Sequence, residues 1–139
     1  MTVLGRLLML ALLLPVAACG GSTPTTPATT SSGPYSQTDL VVGTGTEAVA
    51  TSRVTVSYTG WLYDTSKTEG KGLQFDTSPN ATFLLTSVIA GWQRGVVGMK
   101  VNGQRRLVIP PDLAYGSSGS GPIPPNATLV FDIGLLGVQ

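Results

Sequence analysis

The stretch RVTVSYTGWLY, residues 53–63, constrains the fold more than any other part of the chain. Val54, Val56 and Tyr58 occupy alternate positions, and threonine or serine stands between them. An apolar side chain at every second residue is typical of a β-strand with one buried and one solvated face. Such strands pair mostly antiparallel, so we expect an antiparallel sheet with a core on one side.

Other segments repeat this pattern. Strand character is found in TDLVVG before this stretch and in GLQFD, TFLLT, GQRRLVIP and TLVFDIGLLGV after it. In the last segment one face carries only large apolar residues, namely Leu129, Phe131, Ile133 and Leu135. Arg105 and Arg106, the only adjacent basic pair, are predicted to lie on a strand edge facing solvent.

One segment, VIAGWQRGVVG, indicates a helix. Trp92, Val96 and Met99 fall at i, i+4 and i+7, which places them on one helical face. Three glycines make this a poor helix by intrinsic propensity, so packing must hold it. Several short strands with a single short helix predict an α+β domain with a mostly antiparallel sheet.

The chain begins with a segment typical of export rather than of a folded domain. Arg6 precedes the apolar run LLMLALLLPVAA, which is too short to span a bilayer as a helix. It ends at Val16-Ala17-Ala18-Cys19, which resembles the bacterial lipobox, whose cysteine is acylated. We therefore expect a signal peptide at 1–18 and a lipid anchor at Cys19; an ordinary signal peptide followed by a chance cysteine is the alternative.

Residues 19–35 are predicted to form a disordered tether between the anchor and a domain at 36–139. This segment is rich in Ser, Thr, Pro and Gly and has too little apolar surface to fold. Without Arg6 the chain has equal numbers of basic and acidic residues, so no nucleic-acid partner is expected. We expect an extracytoplasmic monomer, lipid-anchored to a bacterial membrane, in the periplasm or at the cell surface.

The composition excludes several kinds of chemistry. The chain has no histidine and one cysteine, which rules out Ser-His-Asp and Cys-His catalysis and removes the commonest zinc ligand. The acidic residues are scattered, and no glycine-rich loop is followed by Lys-Ser or Lys-Thr. We expect no metal and no cofactor. Rotation about a prolyl peptide bond, which needs no nucleophile, fits what remains.

Four segments together carry a family resemblance. VSYTGWLYD, GLQFDTS, VIAGWQRGVVGMKVNGQRRLVIPPDLAYG and GPIPPNATLVFDIGLL, in this order, resemble the FKBP-type peptidyl-prolyl cis-trans isomerases. The resemblance covers the chain from about residue 36. It implies a twisted antiparallel sheet of about five strands wrapped around one short α-helix. It also implies an enzyme that accelerates rotation of X-Pro bonds in proline-containing polypeptides.

The resemblance also implies a set of site residues. Trp92 matches the floor on which the proline ring sits, Tyr115 matches a hydroxyl donor to a substrate carbonyl, and Asp76 matches a carboxylate facing the pocket; these three form the expected catalytic group. The expected substrate-binding residues are Tyr58, Phe75, Val88, Ile89, Ile123 and Phe131. Each aromatic residue taken singly could instead be an ordinary core residue. The two Pro-Pro segments are expected to frame a rigid loop that directs Tyr115 and Ile123 at the pocket.

The sequence departs from the family pattern along one wall of this pocket. Ala81 stands where the family commonly has an aromatic residue, and the loop from Phe83 to Val88 is about two residues short. Both changes predict a more open site with weaker affinity for macrolide inhibitors. They leave a second interpretation open, a catalytically weak binding module or holdase chaperone with the same fold. The polar segment TSKTEGK is expected to be a solvated excursion.

Overall fold

The computed structural model describes residues 33–139. The predicted signal peptide, Cys19 and the tether up to residue 32 lie outside the described residues. In the part of the chain that the structure describes, no helix is long and apolar enough to cross a membrane.

In the described part of the chain, five strands form one antiparallel sheet. They are β1 (Ser36–Val41), β2 (Arg53–Tyr63), β3 (Lys71–Leu84), β4 (Gln104–Ile109) and β5 (Leu129–Val138). Their order across the sheet is β1-β4-β5-β2-β3, and every neighbouring pair is antiparallel. Between residues 33 and 139 there is one α-helix, α1, which covers Ala90–Val96. The predicted α+β fold class, with about five strands and one short helix, is confirmed.

The segment GLQFD and the first three residues of TFLLT belong to one continuous strand, β3, while Leu85 and Thr86 lie in the 3-10 turn that follows it. Its pairing with β2 shifts register between Val56 and Tyr58 and again between Gly60 and Trp61. At the second shift Phe75 is the extra residue on β3. A bulge of this kind bends a strand and redirects a side chain, which is how a long edge strand follows the curvature of the sheet.

The core lies between α1 and one face of the sheet. The predicted inward face of the last strand, residues 129, 131, 133 and 135, is buried, and Trp92 and Val96 are buried from the helix side. Helix α1 lies so close to β4 that a Cβ atom at Gly95 would collide with Leu107. Glycine therefore serves here to bring helix and sheet into contact. The buried Met99 follows the end of the helix rather than lying on it.

The prediction for Arg105 and Arg106 was wrong. Strand β4 lies inside the sheet, between β1 and β5, and both side chains are in ion pairs. Arg105 is buried on the helix side, where the guanidinium pairs with Asp39. Arg106 lies on the opposite face and pairs with Asp132. The sequence pattern could not show this because the partner carboxylates come from distant strands.

The polar segment TSKTEGK is mostly exposed, as expected, but two of its residues are held by ion pairs. Its 3-10 turn, Thr68–Gly70, carries Glu69, which pairs with Arg106 and Lys71. Lys71 also pairs with Asp132, so four charged groups form a closed network on the outer face of the sheet.

Candidate functional site

A cavity of about 360 Å³ opens on the helix side of the sheet. Strands β2, β3 and β5, the start of α1 and the loop after β4 supply its walls. Most of its lining is aromatic or aliphatic; the lining residues are Tyr58, Phe75, Asp76, Phe83, Ser87, Val88, Ile89, Trp92, Tyr115 and Phe131.

Trp92 is the centre of the aromatic lining. Its ring lies 5.3 Å from both Tyr58 and Phe131, and 5.6 Å from Phe83, measured between centroids, with each partner nearly perpendicular to it. Edge-to-face contacts at these distances are favourable and define the relative orientation of the rings. Since Trp92 is only 5% exposed, the indole is a fixed floor with little freedom to move.

The wall opposite the helix depends on a glycine in β2. Phe75 and Phe131 pack perpendicular to each other with centroids 5.6 Å apart. A Cβ atom at Gly60 would lie 2.7 Å from a ring carbon of each phenylalanine. Real Cβ contacts are not that short, so only glycine at this position lets the two rings meet.

Asp76 contributes a carboxylate to the cavity lining. The Tyr58 hydroxyl donates a 2.7 Å hydrogen bond to one carboxylate oxygen, and the Thr77 backbone N–H donates a 2.8 Å bond to the other. Burial, the hydrogen bond to Asp76 and the negative charge of that carboxylate together raise the pKa of Tyr58 to about 12. The Tyr58 hydroxyl is therefore neutral at ordinary pH and already has an acceptor.

The loop after β4 supplies Tyr115. A 3-10 turn at Pro111–Leu113 begins at the second proline of the first Pro-Pro pair, and the Gly116 N–H donates to the Pro111 carbonyl and closes the loop. Within residues 33–139 the tyrosine hydroxyls that make side-chain hydrogen bonds are those of Tyr35 and Tyr58. Tyr115 is 38% exposed at the cavity mouth, so its hydroxyl is free for a ligand.

The start of α1 offers a backbone donor. Ile89 precedes the helix, and its carbonyl accepts hydrogen bonds from the N–H groups of Trp92 and Gln93. The Gln93 side chain donates to the Val88 carbonyl, which leaves that oxygen occupied. Because the N–H groups at a helix start have no intrahelical acceptor, the Ile89 N–H beside the cavity is available to a ligand.

The structure brings together eight of the residues predicted for the site: Tyr58, Phe75, Asp76, Val88, Ile89, Trp92, Tyr115 and Phe131. Ile123 does not line the cavity; it is 7% exposed and belongs to the core cluster, in a turn where it bridges Ser120. Its apolar character fits either role, so sequence could not separate them. Cys19 lies outside the described residues.

Two lining residues, Phe83 and Ser87, were not among the predicted site residues. Phe83 contacts both Tyr58 and Trp92, so it supplies an aromatic wall of the cavity from β3. Ala81 is paired with Val56 and is not part of the lining. The alternation along TFLLT does place Phe83 on the inner face, and this was the available signal.

Comparison with known proteins identifies the family. Residues 45–136 match the family model of the FKBP-type peptidyl-prolyl cis-trans isomerases. The chain belongs to this family. An FK506-binding protein of Neisseria meningitidis serogroup B is 44% identical over 107 residues, which cover 72% of this chain and 92% of that protein. FK506-binding protein 4 of Dictyostelium discoideum is 50% identical over 103 residues, which cover 70% of this chain and 26% of that protein.

The fold of a solved relative agrees. FkpA from Escherichia coli superposes with a TM-score of 0.66 at 39% identity, over 76% of this chain and 48% of that one. The present chain therefore shares one FKBP domain with relatives of very different length. Membership of the family confirms the predicted enzyme class, a peptidyl-prolyl cis-trans isomerase that acts on proline-containing polypeptides.

Proposed function

We propose that this FKBP domain accelerates X-Pro rotation by seating the proline ring on Trp92 and holding the twisted amide beneath the Tyr115 hydroxyl. The observation that carries this proposal is the combination of an aromatic cavity with a tyrosine hydroxyl at its mouth that is free within residues 33–139. No proton needs to be transferred and no covalent bond needs to form.

The energetic requirement is differential binding. The uncatalysed barrier is about 18–20 kcal/mol because the planar amide is conjugated. A site lowers it only by binding the twisted form better than either planar isomer. A twisted amide has lost its resonance dipole, so its carbonyl enters an apolar enclosure at less cost. The enclosure formed by Trp92, Phe75 and Phe131 supports this step because its rings are mutually fixed and need not reorganise.

Three groups can hold the substrate chain on either side of the proline. The Tyr115 hydroxyl and the Ile89 N–H are donors for substrate carbonyls. The Asp76 carboxylate accepts hydrogen bonds from the Tyr58 hydroxyl and the Thr77 N–H, and these fix its orientation. In this proposal its negative charge faces the nitrogen side of a bound prolyl amide. Val88 adds an aliphatic surface beside the ring.

We further propose that the enzyme acts outside the cytoplasm, attached to a bacterial membrane through acylated Cys19, on secreted or envelope proteins. The support is the apolar leader ending at Ala18-Cys19 and the Ser/Thr/Pro-rich stretch that follows it. Metabolic labelling with an alkyne fatty acid should label the chain and not its Cys19→Ser variant. Equal labelling of both, or of neither, would contradict the anchor.

A second candidate function is a holdase that binds apolar segments without turning them over. Ala81 and the short connection from β3 to α1, a 3-10 turn at Leu85–Ser87, favour it. The two functions respond differently to Trp92→Leu. If the chain is an isomerase, Trp92→Leu should no longer accelerate a refolding reaction whose rate is limited by proline isomerisation. If it is a holdase, the variant should still suppress the aggregation of a reduced client protein whose folding does not depend on proline isomerisation. We expect the first result for this chain.

A further inference from the structure

Arg105 is a buried cation placed between the sheet and the C-terminal end of α1. The residue is 8% exposed, and its guanidinium contacts both the helix and a second strand. Its Nη1 group donates to the Gly95 carbonyl at 2.9 Å and to the Val97 carbonyl at 3.4 Å. Its Nε group donates to Asp39 Oδ1 at 2.6 Å. The guanidinium therefore joins β1, β4 and α1 at one point.

Helix α1 needs such a contact. It has seven residues, two of which are glycines, and a helix this short is not stable by itself. The last carbonyls of any helix lack intrahelical donors. Arg105 supplies a charged donor to the Gly95 carbonyl of the last turn and to that of Val97, the residue after the helix, and its charge matches the negative end of the helix dipole.

Asp39 fixes the direction of that donor. Its carboxylate sits on β1, opposite Arg105 in the register of the sheet, and holds the Nε edge of the guanidinium. Because Nε is occupied in this way, the Nη1 edge is turned toward the helix. A buried cation without its anion would be costly, so the pair acts as a unit.

The same helix carries the cavity floor. Trp92 lies three residues before Gly95, about one helical turn away. A shift of the helix end is transmitted to the indole, whose edge-to-face contacts with Tyr58 and Phe131 tolerate little displacement. A second contact restrains the helix from the same side, since Arg94 lies over the Tyr35 ring at 5.1 Å.

We propose that Arg105, oriented by Asp39, is a positioning residue for prolyl isomerisation, because it sets the place of α1 and hence of Trp92. This inference rests on the proposed function of the cavity. Arg105 itself touches no substrate. Its effect on the rate passes through the position of the indole.

The test compares two adjacent arginines on opposite faces of β4. Arg105→Lys and Asp39→Asn are made beside Arg106→Lys, whose side chain pairs with Asp132 and Glu69 and does not contact α1. All are made in the full chain with Trp61→Phe, which leaves Trp92 as the only tryptophan. Each variant is measured for denaturation midpoint, for kcat/KM on a short X-Pro peptide, and for the wavelength and quenching of Trp92 emission.

We expect Arg105→Lys to lower kcat/KM by about tenfold and to shift Trp92 emission, since small displacements of positioned groups carry costs of this size. Asp39→Asn should change kcat/KM and Trp92 emission in the same direction as Arg105→Lys, but by a smaller amount. The kcat/KM of Arg106→Lys should stay within about twofold of the parent value, and its Trp92 emission should be unaltered. This should hold even where its denaturation midpoint falls as far as that of Arg105→Lys. If Arg105→Lys does not fold, Asp39→Asn decides by the same two readouts.

The inference is overturned if Arg105→Lys leaves both readouts at the parent values, or if Arg106→Lys lowers the rate equally. A loss of rate without any change in Trp92 emission also overturns it, because the effect would not act through the cavity floor. If the parent itself does not accelerate isomerisation, the proposed function fails separately. The emission of Trp92 then still shows whether Arg105 sets its position.

Discussion

The Tyr58 hydroxyl donates a 2.7 Å hydrogen bond to Asp76, across the β2–β3 pair, at the edge of the aromatic cavity. This contact separates the two tyrosines of the site. The Tyr58 hydroxyl already donates to the Asp76 carboxylate and holds it in place. Tyr115, in contrast, projects from a loop at the mouth of the cavity. In the proposed function the hydroxyl offered to a substrate is therefore that of Tyr115.

Tyr58→Phe should remove a tyrosine titration step near pH 12. The folded pKa of Tyr58 is raised from 10.0 to about 12, so the folded state keeps this proton longer than the unfolded state does. The resulting contribution to stability is complete below pH 10 and is lost as the pH rises from about 10 toward 12. Absorbance titration of tyrosinate checks this. Persistence of the step near pH 12 in Tyr58→Phe, or its loss in a Tyr63→Phe control, would contradict the assignment.

Gly60→Ala should damage the cavity and the fold together. The added methyl would lie 2.7 Å from ring carbons of Phe75 and Phe131, and overpacking of this kind costs about 1–3 kcal/mol of unfolding free energy. Prolyl isomerase activity should fall because the two walls separate. Chemical denaturation and peptide turnover measure the two effects. Gly137→Ala is the matched control, since its methyl would meet Thr55 at an ordinary 3.8 Å.

Gly95→Ala should destabilise the domain although alanine is the better helix former. The gain in helix propensity is about 1 kcal/mol, but the new methyl would collide with Leu107 on β4. Overpacking of about 1–3 kcal/mol then outweighs the gain. Thermal unfolding should show a lower midpoint. A raised midpoint would mean that α1 is not held against β4 as closely as described.

Asp132→Asn should weaken the dependence of stability on acid. Burial opposes ionisation of Asp132, but hydrogen bonds from Arg106 and Lys71 outweigh it and lower its pKa below the usual 3.8. A lowered carboxyl pKa contributes stability that is present above pH 3.8 and is lost as the pH falls below that value. Unfolding free energies between pH 2 and 6 should therefore vary less in the variant. Asp112→Asn is the control, because Asp112 is exposed and lies outside the ion-pair network. An unchanged profile in Asp132→Asn would refute the network.

The fold was predictable because its signals are local. Alternation along residues 53–63 and 129–135 fixes two adjacent central strands and their inward faces. The join of GLQFD and the start of TFLLT into β3 was not predictable, since the stretch between them contains the register shift opposite Val56 and Tyr58, which depends on pairing with β2. Pairing of Arg105 with Asp39 joins positions 66 residues apart and leaves no local trace.

The cavity-lining residues were predictable where a family motif specifies the residue. They were less predictable where residues outside these motifs form a wall of the cavity. Trp92 and Tyr115 stand in such motifs, and both line the cavity. Phe83, which packs against Trp92 from the same strand as Ala81, was not among the predicted site residues. Ile123 shows the converse, since a buried apolar residue in a framing loop serves the core as well as it would a pocket.

The most direct test of the account is the exchange rate between cis and trans forms of a short X-Pro peptide, measured by NMR with the full chain. Tyr115→Phe is compared with Tyr63→Phe, which also removes one phenolic hydroxyl but does not line the cavity. We predict clear acceleration by the parent, a loss of up to about tenfold in Tyr115→Phe, as expected for one hydrogen bond, and parent-like exchange in Tyr63→Phe. A folded parent that leaves exchange at the background rate, or equal rates in the two variants, would contradict it.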